Sequence, residues 1–214
     1  MKEHPILFSG PMVKAILDGK KTQTRRVVKP QPHESAGLGF LIPMPNNTSS
    51  VAQFQHVDDR GIHSHELTVR CPYGMPGDRL WVRETFCVHE DCRSYGARTV
   101  YRADVPDPEE WEWTPSIHMP RWASRITLEI TEVRVQRLNE ISEEDAIAEG
   151  IIRDEAWKDG YEMVWHCGDF KMHYSAKEAF KTLWESINGK DTFDSRWVWA
   201  ITFKPLDAPA AGGL

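Results

Sequence analysis

Apolar positions recur at helical spacing in three short segments of the chain. Each segment begins near a serine or glycine, residue types that cap helix N-termini, and each ends at a glycine, which readily adopts the left-handed conformation of a helix stop. In the last two segments an acidic residue follows the capping serine by three positions, as in a capping box. The pattern therefore predicts three helices, over residues 10–19, 142–150 and 175–189.

Alternating apolar and polar positions predict β-strands between these helices. The residues after the first helix, TQTRRVV, are rich in β-branched side chains, and MPGDRLWVRETF combines a turn with a strand. Residues 125–138 alternate most clearly and change phase near Thr131 and Glu132, which predicts a bulge or a bend. RWVWAITFKP predicts a closing strand.

Residues 30–76 show neither the helical spacing nor the strand alternation of apolar positions, and their first part is rich in Pro, Gly, Ser and Asn. We interpret them as an irregular insertion with at most one short edge strand. The strands do not alternate with helices as they do in a doubly wound sheet. We therefore predict an α+β fold, a small mostly antiparallel β-barrel flanked by short helices, in one domain over 1–206 with a flexible tail at 207–214.

Composition narrows the function classes. The 214 residues carry a net charge of −6, which argues against a protein that coats nucleic acid through bulk electrostatics. No apolar run approaches the roughly 20 residues of a membrane span, so no membrane association is predicted. The N-terminal residues do not resemble a secretory signal, and a cytoplasmic location is expected. Nothing in the sequence indicates the oligomeric state.

Four cysteines lack paired spacing and are interpreted as reduced thiols. Cys87, His89 and Cys92 form one local group of possible zinc ligands, and His166–Cys167 offers a possible fourth. Zinc in a structural site needs four converging ligands, and the sequence does not fix the fourth. No metal site is predicted.

Positive charge is concentrated in one segment that contains no acidic residue. Any anionic ligand of an acidic protein must meet such a local cluster rather than the average surface. The cluster directly follows the first predicted helix, so it is either a helix end that favours the macrodipole or part of a site. Its members are Lys20, Lys21, Arg25, Arg26 and Lys29.

The spacing Gly19-x-Lys21-x-x-Thr24-x-Arg26 resembles the G-x-K-x-x-[ET]-x-R motif of the ASCH domain, a PUA-like β-barrel family. PGDRLWVRE and VWAITFK resemble barrel strands of that family, and SIHMPRWASR resembles a segment of its prophage-encoded members. The resemblance implies a pocket at the mouth of the barrel and a nucleoside or RNA ligand.

One branch of the family removes the acetyl group from N4-acetylcytidine with a lysine, a threonine and a glutamate. Lys21 and Thr24 match the first two by the motif. NEISEEDAIAEG resembles the helix that carries the third, which places Glu149 there and leaves Glu144 or Asp145 as alternatives. The resemblance implies no cofactor. Other members bind or cleave RNA, so a binding module and a metal-independent ribonuclease remain alternative functions.

These residue types suit amide hydrolysis. A threonine hydroxyl needs a base, and a lysine serves when burial and neighbouring cations lower its pKa. In an extended strand Thr24 and Arg26 share a face, so Arg26 is a candidate for stabilising an oxyanion. A carboxyl such as that of Glu149 can return the proton to the leaving amine. Each residue also has an ordinary structural interpretation, as a helix end, a strand residue or a solvated acid.

Further residues, which lie outside the motif, are predicted to bind substrate. Arg83 and Glu84 either pair with each other or face the pocket. The segment around His118 either grips a phosphate or is a solvated loop, and Trp81 and Trp122 are candidates for base stacking. Together with Arg26, the predicted substrate-binding residues are Gly19, Arg83, Glu84, His118, Arg121 and Arg125.

Overall fold

The computed structural model describes residues 1–33, 35–43, 50–57, 63–88, 99–105, 112–154, 164–166 and 173–206. Its helices are α1 (Gly10–Leu17), α2 (Glu143–Ala148) and α3 (Ala176–Asn188). Its strands are β1 (Glu3–Leu7), β2 (Gln23–Val27), β3 (Gly37–Pro43), β4 (Ser50–Val57), β5 (His63–Arg70), β6 (Arg79–Arg83), β7 (Phe86–Cys87), β8 (Val100–Tyr101), β9 (Thr127–Arg137), β10 (Ile152–Asp154), β11 (Val164–His166) and β12 (Trp197–Pro205).

Five strands form the main sheet, in the order β1–β6–β9–β12–β2. β1 and β6 pair in parallel, and the other neighbours pair antiparallel. β1 and β2 are the edges of this sheet, and no sheet closes into a barrel within the described residues. The fold is α+β with mostly antiparallel sheets and few helices, which is compatible with the small barrel-like domain expected from the sequence.

β12 is buried on both faces because cores lie on each side of the main sheet. Trp199 and Ile201 belong to the larger core, between the main sheet, α1 and β3–β5. Val198 belongs to a second core that α2 and α3 cover. A central strand between two cores favours a nearly continuous apolar run, and WVWAIT is such a run.

The predicted bulge in β9 is confirmed. Thr202 of β12 pairs with Glu132, whereas the next residue, Phe203, pairs with Ile130, so Thr131 has no partner in the register. Thr131 and Glu132 are both exposed, and burial alternates on either side of them. The extra residue therefore explains the change of phase in the sequence.

The prediction of an irregular insertion over residues 30–76 is wrong. This region contains β3, β4 and β5, which form an antiparallel three-stranded sheet. Both pairings shift register, between Leu38 and Phe40 and between Phe54 and Gln55, and such shifts interrupt the alternation that identifies strands. Phe54 is fully buried with its ring centroid 5.2 Å from that of Trp197, so this sheet completes the larger core.

The predicted helix starts of α2 and α3 are confirmed. Ser142 accepts a hydrogen bond from the Asp145 amide, and Ser175 accepts one from the Glu178 amide. No described helix combines the length and the apolar character needed to cross a membrane. The predicted flexible tail, 207–214, lies outside the described residues.

Candidate functional site

The turn after α1 brings Lys21 to the end of α2. Gly19 has φ +70°, as the sequence predicted for a helix stop, and the amides of Lys20 and Lys21 both donate to the Ala15 carbonyl. Lys21 then forms an isolated β-bridge with Glu149. The left-handed glycine reverses the chain tightly, which aims the backbone of Lys21 at α2.

Lys21 is buried, and its ammonium group binds Glu149 twice. Nζ donates to the Glu149 carbonyl at 2.8 Å and to Oε2 of the same residue at 2.7 Å. The side chain is fully enclosed, and Nζ lies 5.7 Å from the Phe8 ring centroid. Burial lowers the pKa of Lys21; Glu149 opposes this shift, and Arg26 and Arg25 add to it.

Lys20, a member of the cationic cluster in the sequence, is not among the groups that lower the pKa of Lys21. Its amine lies 3.7 Å from Asp18, and half of its side chain is exposed. The cations that lower the pKa of Lys21 are the two arginines of β2.

Arg25 links Glu149 to a wider buried network. Its guanidinium donates to Glu149 Oε1 at 3.2 Å, to Asp145 Oδ2 at 2.6 Å and to Gln23 Oε1 at 2.6 Å. Arg134 also donates to Asp145, at 3.0 and 3.2 Å. Burial opposes ionisation of Asp145, but Arg134 and Arg25 outweigh it, so the pKa of Asp145 is lowered.

The sequence missed Arg25, Asp145 and Arg134 as members of one network. The available signal was the shared strand face of Gln23 and Arg25, which the structure retains. The sequence did not indicate that the acidic end of α2 would lie against that face of β2. Of the three acidic candidates, Glu149 contacts Lys21, Asp145 contacts Arg25, and Glu144 is exposed.

A cavity of about 410 Å³ adjoins this network. Four residues give it a polar wall: Thr24, Arg25, Arg26 and Glu149. Four residues of α3 give it an apolar wall: Phe180, Leu183, Trp184 and Ile187. Leu7, Phe8 and Ser9 line it where β1 passes into α1, and the other lining residues are Met12, Val27, Thr85, Ser116 and Asn188.

Thr24 is buried at the polar wall of this cavity. Lys21 contributes no atom to that wall and lies behind Glu149. Neither hydrogen bond of the Lys21 amine goes to the Thr24 hydroxyl. Lys21 and Glu149 are therefore in direct contact, and Thr24 is related to them by lining the same cavity as Glu149.

Arg26 joins the two edges of the main sheet at the cavity. Nη2 donates to the Leu7 carbonyl at the end of β1, at 2.5 Å, and the guanidinium lies 5.3 Å from the Phe8 ring centroid. The two edge strands thus approach each other beside Thr24. Of the substrate-binding residues predicted from the sequence, Arg26 is the one that lines this cavity.

Arg83 and Glu84 do not pair with each other. The Arg83 guanidinium lies 5.5 Å from the Trp81 ring centroid. Glu84 is buried and accepts from Arg125 Nε and Nη2, at 2.9 and 3.1 Å. Arg125 also binds Asp104, so the interpretation of Arg125 as a free phosphate ligand is not supported.

Within the SIHMPRWASR segment, Ser116 lines the cavity, whereas the predicted ligands His118 and Arg121 do not. His118 is exposed, and Arg121 is bound by Glu3 at 2.8 and 3.1 Å. Trp81 and Trp122 do not line the cavity either. Trp184 of α3, which the sequence analysis did not propose as a ligand-binding residue, does line the cavity.

Metal ligands do not gather in the part of the chain that the structure describes. No group of three or more His, Cys, Asp or Glu side chains there is placed to hold a metal ion. Cys87 is buried, and His89 and Cys92 lie outside the described residues.

Comparison with protein-family models, with curated proteins and with solved structures gives no match to this chain.

Proposed function

We propose that the protein is a metal-independent amidohydrolase of the ASCH type that acts on an N4-acylated cytosine nucleoside or a similar small amide. One observation carries the proposal: Lys21 and Glu149 form a buried ion pair, and Glu149 lines a cavity that Thr24 also lines. Burying a lysine without a functional reason is unfavourable, and shifted pKa values concentrate at active sites.

The cavity suits a nucleoside. Its volume of about 410 Å³ lies within the roughly 300–1,000 Å³ that is usual for small-molecule sites. A flat pyrimidine ring can pack against Phe180 and Trp184, while the acyl amide faces Thr24. The wall thus combines an apolar side with a few polar groups, as ligand sites commonly do.

The Lys21 ammonium first passes a proton to the Glu149 carboxylate, and the neutral amine then takes the proton of the Thr24 hydroxyl as the Thr24 oxygen attacks the acyl carbon. The C–N bond then breaks, the pair returns the proton to the leaving amine, and water hydrolyses the acyl-threonine ester. Arg26 is placed to stabilise the oxyanion. Lys21 must exchange its contact with Glu149 for one with Thr24 when substrate binds, because catalytic hydrogen bonds often form only in the complex.

Hydrolysis of N4-acetylcytidine, followed by its absorbance change in the presence of EDTA, tests the proposal. We expect turnover by the wild type, retention of part of it by Thr24→Ser, and a loss of about 10³-fold or more in Thr24→Ala and Lys21→Ala. Lys20→Ala, which removes an exposed neighbouring charge, is the control and retains full activity. An inactive wild type, or a fully active Thr24→Ala, contradicts the proposal.

A non-catalytic binding module is a second candidate, favoured by the contact of Lys21 with Glu149 instead of Thr24. In that case cytidine binds to wild type and Thr24→Ala alike, and N4-acetylcytidine stays intact. A ribonuclease that uses a histidine has less support, because no described residue lining the cavity is a histidine.

A further inference from the structure

A second cavity, of about 520 Å³, lies next to the first. Ser9 and Thr85 line both cavities, so the two spaces adjoin at these short hydroxyl side chains. A nucleoside whose base lies in the first cavity can extend its sugar across Ser9 and Thr85 into the second cavity. The proposed chemistry at Thr24 uses none of the other residues of the second cavity.

The charges of the second cavity favour an anion. Lys14 and Arg102 line it, both are exposed, and neither makes an ion pair within the described residues. Glu84 also lines it, but Arg125 binds both oxygens of that carboxylate. Arg125 is shared between Glu84 and Asp104, so these side chains together with Lys14 and Arg102 amount to three cations and two carboxylates. The excess positive charge lies with Lys14 and Arg102, which are available to a ligand.

We propose that the second cavity binds a phosphate on the sugar of the nucleotide whose base occupies the first cavity. The natural ligand is then a phosphorylated cytosine nucleoside. The sugar lies across Ser9 and Thr85, whose hydroxyls can donate to its oxygens, and Lys14 and Arg102 contact the phosphate. The location of the base rests on the proposed function; the phosphate site itself rests on the second cavity alone.

A mononucleotide suits this site better than a long strand. The chain carries a net charge of −6, so a polymer would lie along a surface that is mostly negative. One phosphate needs only the local pair of cations. We therefore expect the affinity for a single added phosphate to exceed any gain from further nucleotides.

Calorimetric titration of the full chain with cytidine, cytidine 5′-monophosphate, cytidine 3′-monophosphate and inorganic phosphate tests the inference. We expect one of the monophosphates to bind about tenfold more tightly than cytidine, which corresponds to 1.4 kcal/mol. Lys14→Ala and Arg102→Ala each reduce this preference about fivefold and leave cytidine binding unchanged. Lys190→Ala removes an exposed lysine that lines neither cavity and changes nothing.

The outcomes separate this inference from the proposed function, because the titrations require no turnover. Equal binding of cytidine and both monophosphates, or a preference that survives both substitutions, overturns the phosphate site while leaving the hydrolase intact. Failure of all the phosphates to bind also overturns it. Binding of phosphate that is lost in Lys14→Ala and Arg102→Ala supports the site even if N4-acetylcytidine is not hydrolysed. Titration with a short single-stranded RNA tests the size of the ligand, and an RNA that binds more tightly than the monophosphate overturns the assignment to a mononucleotide.

Discussion

Lys21 holds a charge where water does not reach it, and its partner Glu149 makes this possible. The two partners differ: Glu149 also accepts a hydrogen bond from Arg25, whereas the Lys21 amine contacts no second carboxylate among the described residues. Removing one partner of a buried pair leaves the other uncompensated. The two single substitutions therefore have different consequences for stability.

Glu149→Gln should lower the free energy of unfolding by about 3–5 kcal/mol, because it leaves the buried ammonium without a counter-charge. Lys21→Met should cost less, since Glu149 keeps Arg25. The double variant should lose less than the sum of the two, because the two residues interact. Urea unfolding at pH 7 measures all three; equal and additive losses would contradict the assigned roles.

The pH dependence of Glu149→Gln follows from the lowered pKa of Lys21. The folded chain releases this proton at a lower pH than the unfolded chain, whose lysine titrates near 10.5. Unfolded molecules therefore bind more protons between the two pKa values, and stability rises with pH there. Glu149 raises the pKa of Lys21 and so opposes the effect of burial. Without Glu149 the pKa of Lys21 should fall further, so the free energy of unfolding of Glu149→Gln should rise more than that of wild type as pH rises toward 10.5.

At Cys71 the predicted pH dependence is the opposite: its contribution to stability falls as pH rises. Burial raises the pKa of its thiol from 9.0 to about 12. The folded chain keeps this proton while the unfolded chain loses it, so the contribution to stability is complete below pH 9 and disappears as pH rises toward 12. Cys71→Ala should therefore lose less stability than wild type between pH 8 and pH 10.5 in urea unfolding; an identical loss would contradict the shift.

The connections between elements depend on two glycines that serve different purposes. At Gly19 the sequence predicted a left-handed stop, and an added Cβ would meet no atom within 4 Å. Gly150, at φ +96°, ends α2, and its added Cβ would approach Lys21 Cβ at 3.2 Å and Ala15 Cβ at 3.3 Å. Gly19 therefore permits a turn, and Gly150 permits a turn together with a close approach of α1 to α2.

The same substitution at both positions separates these roles. Gly19→Ala should cost about 1–2 kcal/mol, the strain of a left-handed alanine. Gly150→Ala should cost more and should also reduce hydrolysis of N4-acetylcytidine, because it displaces Lys21. Urea unfolding and the hydrolysis assay measure both variants. If the two variants lose equal stability and activity, Gly150 has no role beyond its turn.

Over the whole molecule, the sheet of β3–β5 belongs to the core of the main sheet. Phe54 and Ala52 are fully buried in the larger core, and Arg137 of β9 donates to the Ala36 carbonyl just before β3. Composition suggested an irregular insertion, but Phe54 of this segment packs against Trp197. The domain therefore needs this segment to complete its interior.

Phe54→Ala tests that integration. A buried phenylalanine truncated to alanine costs about 3–5 kcal/mol, so we expect a loss of that size in urea unfolding. Leu41→Ala, which truncates an exposed leucine of β3 in the same small sheet, is the control and should cost clearly less, about 1 kcal/mol or below. A small loss for Phe54→Ala would mean that the segment folds apart from the main sheet.

The sequence alone determined features that local rules govern. The caps of α2 and α3, the stop at Gly19 and the bulge at Thr131 each depend on a few neighbouring residues, so spacing was sufficient to predict them. β3–β5 escaped prediction because their register shifts disturb the alternation and their stability comes from distant partners such as Trp197.

Only the tertiary structure decided which acid meets Lys21. Asp145 and Glu149 are four residues apart, so they lie on the same side of α2 and its end, and spacing cannot choose between them. The choice arises because Gly19 and Gly150 bring together residues 128 positions apart, so that Lys21 meets Glu149 and Arg25 meets Asp145. A contact of that separation depends on how the elements pack, which no local pattern records.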